Sequence, residues 1–541
     1  MNRLTFFILL APVLAIAAIQ DPVKTEAGQI SGVAGKNPEV RVYKGIPFAA
    51  PPVGDLRWKP PQPVAHWEGV RGGETFGSQC VQGGGGGARG GARGGGAKAG
   101  DGAAKGGAAP KGGAPRGGGA PGGARGGAGG VSGNEDCLYL NVWTAAQSAS
   151  EKRPVLVWAY PGGYTSGNGA SPAFDGEALA KKGVILITFN YRVGPFGFLA
   201  HPELTKESEH HASGNYGMMD LAATLKWVQK NIAAFGGDPR NVTIAGDSAG
   251  AALVAMMTGS PEGKGLFRRV ISESGAWMGL GVSKMTTLAS AEQNGMRMAT
   301  ALSANSLAEL RAKSAAEIQG GGRGGGPVVD GWYIPEDLSK TFEAAKENEV
   351  DILVGSNKDE GTFFGGPVTA AQFTAQAKMR YGDLGESYLK VYPAGSDEEA
   401  AQSSLASFRD ALGFHQRKWA QLQEKRGKSK TYVYYFTHDP TPGPNSRGAT
   451  HGAEAPFVFQ NPGRAMWTDA QKQLSDTISS YWVNFATTGD PNGKGLPKWP
   501  EYREKGSNHR MVLGDKVEVE PANDAAHLAW WESYYQKLLK Q

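Results

Sequence analysis

Cysteine is scarce in this sequence of 541 residues, which holds only Cys80 and Cys137. Two thiolates cannot complete the four-ligand shell of a structural zinc ion, and no pair of histidines lies near them in the sequence. In an exported chain an isolated pair of cysteines indicates a disulfide rather than a metal site. The sequence therefore predicts a bond between Cys80 and Cys137.

Long apolar runs are missing from everything beyond the N-terminus, so the sequence predicts no transmembrane segment in the mature chain. The chain opens with a short basic end, and residues 4–18 are almost free of polar side chains. This run is short for a membrane anchor, and it ends in small residues that favour cleavage near Ala17 or Ala18. We therefore expect a signal peptide over residues 1–18 and a secreted or periplasmic mature chain over residues 19–541.

A strong charge of one sign is also lacking from the body of the chain. The net charge is +5, but residues 83–130 alone carry seven lysines and arginines against one acid, Asp101. The remainder therefore carries about one negative charge, which argues against a nucleic-acid partner because no basic field covers the whole protein.

Apart from Asp101, the segment over residues 83–130 consists of glycine, alanine, arginine, lysine and proline, without aromatic residues. Such a composition cannot bury enough apolar surface to fold, so we predict a disordered insertion closed at its base by the Cys80–Cys137 bridge. Two interpretations stay open. The insertion is either a solvated loop without a function or a weak attachment to an anionic surface, such as a cell envelope or a polysaccharide.

Apolar runs alternate with helical patterns along the rest of the chain. Such alternation indicates an α/β fold, with a mostly parallel central sheet covered by helices on both faces. A more polar helical stretch over residues 370–423 is expected to cap or flank the sheet. The predicted strands lie at residues 155–158, 184–187, 242–245, 270–271, 352–354 and 431–436, and the clearest helices at residues 220–232 and 249–257.

The strongest local signal is Gly-Asp-Ser-Ala-Gly at residues 246–250, between a predicted strand and a predicted helix. This pattern places a serine on a sharp strand-to-helix turn, where its hydroxyl projects above the sheet. The flanking glycines permit the turn because a Cβ atom at either position would clash. Ser248 is therefore predicted to be a catalytic nucleophile.

Two adjacent glycines, Gly162 and Gly163, follow the predicted strand at residues 155–158. Their N–H groups, with that of Ala249, could donate three hydrogen bonds to a tetrahedral oxyanion. Loss of one such donor typically costs about 3–4 kcal/mol of transition-state stabilisation. The alternative interpretation is an ordinary Gly-Gly turn.

A series of motifs occurs in one order along nearly all of the mature chain. The motifs are Lys-Gly-Ile-Pro-Phe-Ala at residues 44–49, Glu-Asp-Cys-Leu-Tyr-Leu-Asn-Val at 135–142, Asn-Tyr-Arg at 190–192, Gly-Asn-Tyr-Gly at 214–217, Phe-Gly-Gly-Asp-Pro at 235–239, the serine motif at 246–250, Ser-Glu-Ser-Gly at 272–275, Asn-Lys-Asp-Glu-Gly at 357–361, His-Gly-Ala-Glu at 451–454 and Gly-Asp-Pro-Asn at 489–492. Through these motifs the sequence resembles the type B carboxylesterases, the group that includes acetylcholinesterase.

The resemblance implies an α/β-hydrolase fold in a secreted, bacterial-type carboxylesterase. It assigns Ser248 as the nucleophile, Glu360 as the triad acid and His451 as the base. The same resemblance assigns the oxyanion hole to Gly162, Gly163 and Ala249, and matches Cys80 and Cys137 to the family's first disulfide. The chain order Ser, Glu, His is that of α/β-hydrolases.

This sequence departs from the family pattern at two positions next to the site. Pro161 stands where a third glycine usually precedes the oxyanion pair, so we expect a stiffer approach to an intact hole. Asp247 stands where glutamate usually precedes the nucleophile, which keeps the charge and shortens its reach.

The residues alone leave the base and the acid open. Nine histidines are present, and His415 and His438 compete with His451 as the base. Asp359 lies beside Glu360, and only one of two adjacent loop residues can face the histidine.

The implied reaction is hydrolysis of small to medium carboxylic esters through an acyl-enzyme, without a metal or an organic cofactor. An unperturbed histidine base predicts loss of activity below about pH 6. Two rival hypotheses remain: a surface binding or adhesion-like protein that keeps the triad without turnover, and an esterase for aromatic acids of the feruloyl or gallate type.

Overall fold

The computed structural model describes residues 19, 21–83, 131–322, 324–364, 367–503, 508–522 and 525–541. In this part of the chain an eleven-stranded sheet forms the centre of the molecule. Its strands are β1 (Val33–Ala34), β2 (Arg41–Pro47), β3 (Tyr139–Thr144), β4 (Arg153–Ala159), β5 (Ile185–Phe189), β6 (Gly237–Asp247), β7 (Arg269–Glu273), β8 (Asp351–Asn357), β9 (Thr431–Phe436), β10 (His509–Leu513) and β11 (Val517–Pro521).

The strand order across this sheet is β1-β2-β3-β5-β4-β6-β7-β8-β9-β10-β11. The run from β5 to β10 is parallel, and antiparallel pairings flank it on both sides. Every residue of β5 is buried, as its nearly continuous apolar run predicts for a parallel strand covered on both faces, and β7 is fully buried as well although it contains Arg269 and Glu273. The predicted mostly parallel sheet is therefore confirmed.

Helices connect the strands and cover the sheet. They are α1 (Glu177–Lys181), α2 (Gly194–Phe198), α3 (Pro202–Glu207), α4 (Tyr216–Asn231), α5 (Ala249–Gly259), α6 (Leu288–Ala301), α7 (Leu307–Ala312), α8 (Ala315–Gly320), α9 (Leu338–Glu343), α10 (Gly361–Phe364), α11 (Ala370–Tyr381), α12 (Gly385–Val391), α13 (Asp397–Arg426), α14 (Ala455–Val458), α15 (Asp469–Thr488) and α16 (Ala525–Lys540). The clearest predicted helices correspond to α4 and α5.

The polar stretch predicted to flank the sheet contains α11, α12 and the 30-residue helix α13. Ser396 caps α13 by accepting a hydrogen bond from the N–H of Glu399, and Gly427 ends the helix in a left-handed conformation. Acidic side chains in the first turn and basic side chains in the last complement the helix dipole. Because α13 packs against β8, β9 and α16, the stretch flanks the sheet.

Cys80 and Cys137 form a disulfide, as predicted, across a sequence separation of 57. Next to it, Gln82–Gly83 pairs antiparallel with Val131–Ser132, and these two short strands form the stem of the glycine-rich segment. Apart from Gly83, the predicted insertion lies outside the described residues, as does the predicted signal peptide. In the part that the structure describes, no helix is both long and apolar enough to cross a membrane.

Candidate active site

Ser248 lies at the junction of β6 and α5, where the chain turns from strand to helix. Its φ of 58° and ψ of −120° are a strained combination for a residue other than glycine. A Cβ atom on Gly246 would come within 2.5 Å of the Gly250 carbonyl carbon, and one on Gly250 within 2.0 Å of the Ala159 oxygen. Both glycines are therefore needed for the turn that the sequence predicted.

Backbone contacts hold the strained serine in place. The N–H of Ser248 donates to the carbonyl oxygen of Glu273 at 2.8 Å, and its own carbonyl accepts from the N–H of Ala252 at 2.9 Å. The first of these bonds ties the turn to the end of β7, and the second begins helix α5. The positive end of the α5 dipole therefore lies at the serine, which favours an anion there.

His451 and Glu360 are joined by a hydrogen bond of 2.6 Å between Nδ1 and Oε2, and both side chains are buried. The other oxygen of Glu360 accepts from the Ser274 hydroxyl at 2.5 Å and from the N–H of Asn357 at 2.8 Å. These contacts fix the carboxylate, which in turn orients the imidazole ring.

Asp359, the rival acid, faces away from the histidine ring. Its Oδ2 accepts from the N–H of Ala449 at 2.9 Å, and its own N–H donates to the Ala449 carbonyl at 3.0 Å. Asp359 thus holds the loop that precedes His451, while Glu360 reaches the imidazole. Of the two adjacent acids, Glu360 is the one that contacts the histidine.

The rival histidines occupy other environments. His438 pairs with Asp515 at 2.6 Å and lies 3.2 Å from the side-chain amide of Gln471. His415 is completely buried in α13, and this burial lowers its pKa to about 3. Of the three candidates, His451 is the one that lies next to the turn of Ser248. Its neighbour Gly452 packs against Asp247, the residue before Ser248, since a Cβ atom on Gly452 would lie 3.1 Å from Asp247 Oδ2.

The hydrogen bond between Ser248 and His451 is not formed in this structure. The Nε2 atom of His451 is buried and has no hydrogen-bond partner among the described residues. In unliganded hydrolases such bonds are often long or poorly aligned, and they tighten when substrate binds. The structure therefore brings together the histidine and its acid, with Nε2 available for a proton.

The predicted oxyanion residues lie where β4 ends. Gly162 and Gly163 have φ values of 135° and 60°, and the N–H groups of Thr165 and Ser166 fold back onto the Gly162 carbonyl at 3.1 and 3.2 Å. No hydrogen bond between described residues uses the N–H groups of Gly162, Gly163 or Ala249. These three donors are therefore free to bind an oxygen atom. Pro161 does not weaken the set, because its nitrogen is not one of them.

Three further buried carboxyl groups were given no role from the sequence: Asp247 and Glu454 act on the pKa of His451, and Glu273 lies beside those two acids. Glu454 accepts from the Tyr434 hydroxyl at 3.1 Å and from the Asn357 side-chain amide, and Glu273 accepts from the Trp482 indole at 2.8 Å. Asp247 is the third group, and all three are almost fully buried. Among the described residues, no cluster of histidine, cysteine and acidic side chains has the geometry to hold a metal ion.

Burial raises the pKa of these carboxyl groups, and their mutual repulsion adds to the effect. The pKa of Asp247 rises to about 6 and that of Glu454 to about 8. Burial acts in the opposite direction on His451, but the charges of Glu360, Asp247 and Glu454 outweigh it and raise its pKa to about 9. The expectation of an unperturbed histidine is therefore wrong, because this imidazole lies in an acidic environment.

The sequence contained a signal for part of this environment. Glu273 and Ser274 belong to the Ser-Glu-Ser-Gly motif, and Glu454 ends the His-Gly-Ala-Glu motif, so both motifs were visible without a role. Their spacing could not show that β7, β8 and the loop after β9 converge on one histidine. Tyr434 and Trp482 carried no local signal.

Aromatic rings cover another side of His451. The ring centres of Phe363 and Phe364 lie 5.2 and 4.9 Å from the imidazole centre, and Phe364 stacks on Phe408 at 4.4 Å. Phe363 and Phe364 follow Glu360 directly in α10, so the same turn delivers the acid and two aromatic side chains.

Comparisons with known proteins agree with this geometry. The model of the carboxylesterase family matches residues 20–531. The chain is 34% identical to a fumonisin B1 esterase from Sphingopyxis macrogoltabida, over 94% of this chain and 90% of that protein. It is 32% identical to a para-nitrobenzyl esterase from Bacillus subtilis, over 92% of this chain and 96% of that protein.

Solved structures of esterases are similar over the same extent. A thermophilic para-nitrobenzyl esterase matches with a TM-score of 0.77 and 30% identity, and a Geobacillus stearothermophilus carboxylesterase with 0.75 and 30%. Each match covers 94% of this chain and 99% of the other. The chain therefore belongs to the carboxylesterase family, and it is an ester-hydrolysing enzyme with the α/β-hydrolase fold.

Proposed function

We propose that this enzyme hydrolyses small to medium carboxylic esters through an acyl-enzyme on Ser248, with His451 as the general base and Glu360 as its orienting acid. The observation that carries the proposal is the 2.6 Å contact between His451 Nδ1 and Glu360 Oε2, beside a serine on a strand-to-helix turn. Gly162, Gly163 and Ala249 supply the oxyanion donors in this proposal.

In the first half-reaction the neutral imidazole takes the Ser248 proton at Nε2 while Oγ attacks the ester carbonyl carbon. The carbonyl oxygen becomes an oxyanion and is stabilised by the three free N–H groups. The imidazolium then gives its proton to the leaving alcohol oxygen, and the carbon–oxygen bond breaks. Water repeats the sequence on the acyl-enzyme, releasing the acid and restoring the serine hydroxyl.

Hydrolysis of p-nitrophenyl acetate, butyrate and octanoate tests the proposal. The wild type should show an initial burst and turnover, and Ser248→Ala should lose on the order of 10⁴-fold or more in kcat. Ser479→Ala is the matched control, because Ser479 is also buried and, among the described residues, its hydroxyl donates only to the backbone carbonyl of Asp476. A folded wild type as inert as Ser248→Ala would contradict the mechanism and favour a surface-binding role.

Esters of aromatic acids are a second candidate substrate class, favoured by the rings of Phe363 and Phe364 beside the imidazole. Methyl ferulate and methyl gallate should be compared with the p-nitrophenyl esters by kcat/KM. The names of the two relatives add p-nitrobenzyl esters and fumonisin B1 to the panel. An aromatic-acid preference predicts a higher kcat/KM for ferulate or gallate than for acetate.

Export of the enzyme is proposed from the sequence of residues 1–18, and weak binding of an anionic surface from the basic residues of segment 83–130. Expression of the full chain followed by fractionation and N-terminal sequencing tests the first proposal. For the second, deletion of residues 84–130 should abolish salt-sensitive retention on heparin or anionic vesicles without changing turnover. Equal retention by both forms would contradict a role for the segment.

A further inference from the structure

The loop that carries the oxyanion glycines is fixed at its far end by a buried glutamine side chain. Gln82 Oε1 accepts from the N–H of Gly167 at 2.9 Å, and its Nε2 donates to the Gly167 carbonyl at 3.0 Å. Nε2 also donates to the carbonyl of Cys80 at 3.1 Å, and Gln82 is only 3% exposed. One amide side chain thus satisfies both backbone groups of Gly167, as a neighbouring strand would.

Gly167 in turn closes the turn that begins at Pro161. Its φ is +120°, and a Cβ atom there would lie 2.4 Å from the Tyr160 ring and 2.7 Å from the Pro161 oxygen. The start of the same turn is packed equally closely, since a Cβ atom on Gly162 would lie 1.9 Å from the Ser166 oxygen. The segment is therefore packed against itself, and a shift at Gly167 must move the peptide of Gly162.

The two hydrogen bonds between Gln82 and Gly167, called the clamp below, are supported by the disulfide-bonded stem. Gln82 stands two residues after Cys80, whose disulfide to Cys137 leads directly into the central strand β3. A second glutamine reinforces the attachment: Gln79 Oε1 accepts from the Asn168 amide at 3.1 Å, and its Nε2 donates to the Ser132 hydroxyl at 3.0 Å. Two consecutive residues of the oxyanion loop are thus tied to the stem.

We propose that Gln82 is a positioning residue for the oxyanion hole, acting through the backbone of Gly167. The inference rests on the proposed function, because it assigns the hole to Gly162 and Gly163. Oxyanion donors act only when they are held at the position where the negative charge develops. Loss of the clamp should therefore weaken binding of the transition state more than binding of the ester.

Gln82→Met removes the two hydrogen bonds to Gly167 and the one to the Cys80 carbonyl at nearly constant side-chain volume. We expect kcat to fall about tenfold or more while KM stays within about twofold, since displacement by a fraction of an ångström is costly in a preorganised site. The Ki of a trifluoromethyl ketone, which forms a tetrahedral adduct with the serine, should rise by the same factor as kcat/KM falls. A role limited to stability would leave kcat and Ki unchanged in the folded fraction.

Gln82→Glu supplies a reversible form of the same test. A protonated carboxyl group can accept from Gly167 N–H and donate to the Gly167 carbonyl, losing only the bond to the Cys80 carbonyl, whereas the ionised form repels both carbonyl oxygens. The ratio of its kcat to the wild-type value should be near one at pH 5 and should fall as pH rises, while the ratio for Gln82→Met stays flat. This variant also preserves the test if Gln82→Met does not fold.

Gln229→Met is the matched control, because Gln229 also donates to two backbone carbonyls, those of Pro239 and Leu266, but from helix α4. Its kcat and Ki should stay within twofold of wild type. Folded Gln82 variants with wild-type kcat and Ki at every pH would overturn the inference. Inert wild type in the same series would instead speak against the proposed function, so the two failures are distinguishable.

Discussion

At the scale of single residues, the unusual feature is the amount of acid around one histidine. A triad requires one carboxylate, yet Asp247 and Glu454 are buried close enough to His451 to raise its pKa together with Glu360. An imidazole in such a setting binds a proton more tightly and stabilises the imidazolium that forms during acyl transfer. For the proposed base His451, the same charges favour the protonated form of the ring over a wider pH range.

Glu454→Gln should shift the pH dependence of kcat/KM to lower pH. A raised pKa means that the neutral, active base appears only as pH rises toward about 9, so kcat/KM should decline on acidification from a midpoint above 6.5. Removing one negative charge lowers the histidine pKa, and the midpoint should move to a lower pH by a measurable fraction of a unit. A profile of kcat/KM from pH 5 to 10 checks this, and an unmoved midpoint would contradict it.

Glu273→Gln should stabilise the fold at alkaline pH. Burial beside Glu454 and Asp247 raises the pKa of Glu273 well above its unfolded value, so this carboxyl takes up a proton on folding. Stability is then lost as pH rises above the unfolded pKa and toward the folded one. The amide avoids this loss, and its carbonyl can still accept from the Trp482 indole. The Tm of the variant should exceed that of wild type at pH 9, and the gap should shrink at pH 5.

Gly250→Ala should disrupt the nucleophile turn. The new Cβ atom would lie 2.0 Å from the Ala159 oxygen, a backbone atom of β4 that cannot move aside alone. We expect at least a hundredfold loss of kcat or a loss of soluble protein. Gly320→Ala is the control, since a Cβ atom there has no neighbour within 4 Å, and its kcat should match wild type.

At the scale of elements, a buried ion pair joins the end of β5 to helix α4. Arg192 contacts both oxygens of Asp220, with NH2 to Oδ1 at 2.8 Å and Nε to Oδ2 at 2.9 Å, and its backbone N–H reaches Oδ2 at 2.8 Å. The remaining guanidinium nitrogen donates to the carbonyl of Lys59 at 2.8 Å. Both side chains are almost fully shielded from solvent, so the charge of each is stabilised by the opposite charge of the other.

Asp220→Ala should destabilise the protein by about 3–5 kcal/mol, because it leaves a buried guanidinium without a counter-charge. The measurement is the urea midpoint followed by tryptophan fluorescence. Lys472→Ala serves as the comparison, since the pair of Lys472 with Asp469 is exposed and its loss should not change the midpoint. Similar shifts for both variants would show that burial of the pair is not what matters.

Elements with continuous apolar runs were predictable, and those with mixed patterns were not. Strand β9 matched its predicted bounds of residues 431–436, the apolar spacing over residues 220–232 corresponds to α4, and the run of small residues at 249–257 corresponds to α5. The antiparallel pair β10 and β11 escaped prediction because β10 has only three consecutive buried residues and the edge strand β11 is partly buried or exposed throughout. Such strands gain stability from a neighbour, and the neighbour β9 is distant in sequence.

At the scale of the whole molecule, the sequence predicted which residues form the site but not the contacts between them. The motifs pointed to His451 and Glu360, and the structure shows their hydrogen bond. The clamp of Gln82 on Gly167 and the acid cluster join residues from distant parts of the chain, which no local pattern records. Those contacts form because the loops that follow the parallel strands meet at the carboxyl ends of these strands.

The disulfide is expected to contribute to global stability as well as to the oxyanion loop. Linking residues separated by 57 positions restricts the unfolded chain by about 4 kcal/mol in the loop-entropy description. The double variant Cys80→Ala/Cys137→Ala should therefore show a lower Tm, measured by circular dichroism, and the wild type treated with a strong reductant should approach the same value. Equal Tm values for variant and untreated wild type would contradict this expectation.

The stem has a practical consequence for protein engineering. The described chain leaves at Gly83 and returns at Val131, and these two residues are direct partners across paired strands, so the exit and return points lie about 5 Å apart. The entropic cost of closing a loop rises only with the logarithm of its length. A foreign domain whose own termini are adjacent could therefore be grafted between Gly83 and Val131, giving a bifunctional esterase with an unaltered central sheet.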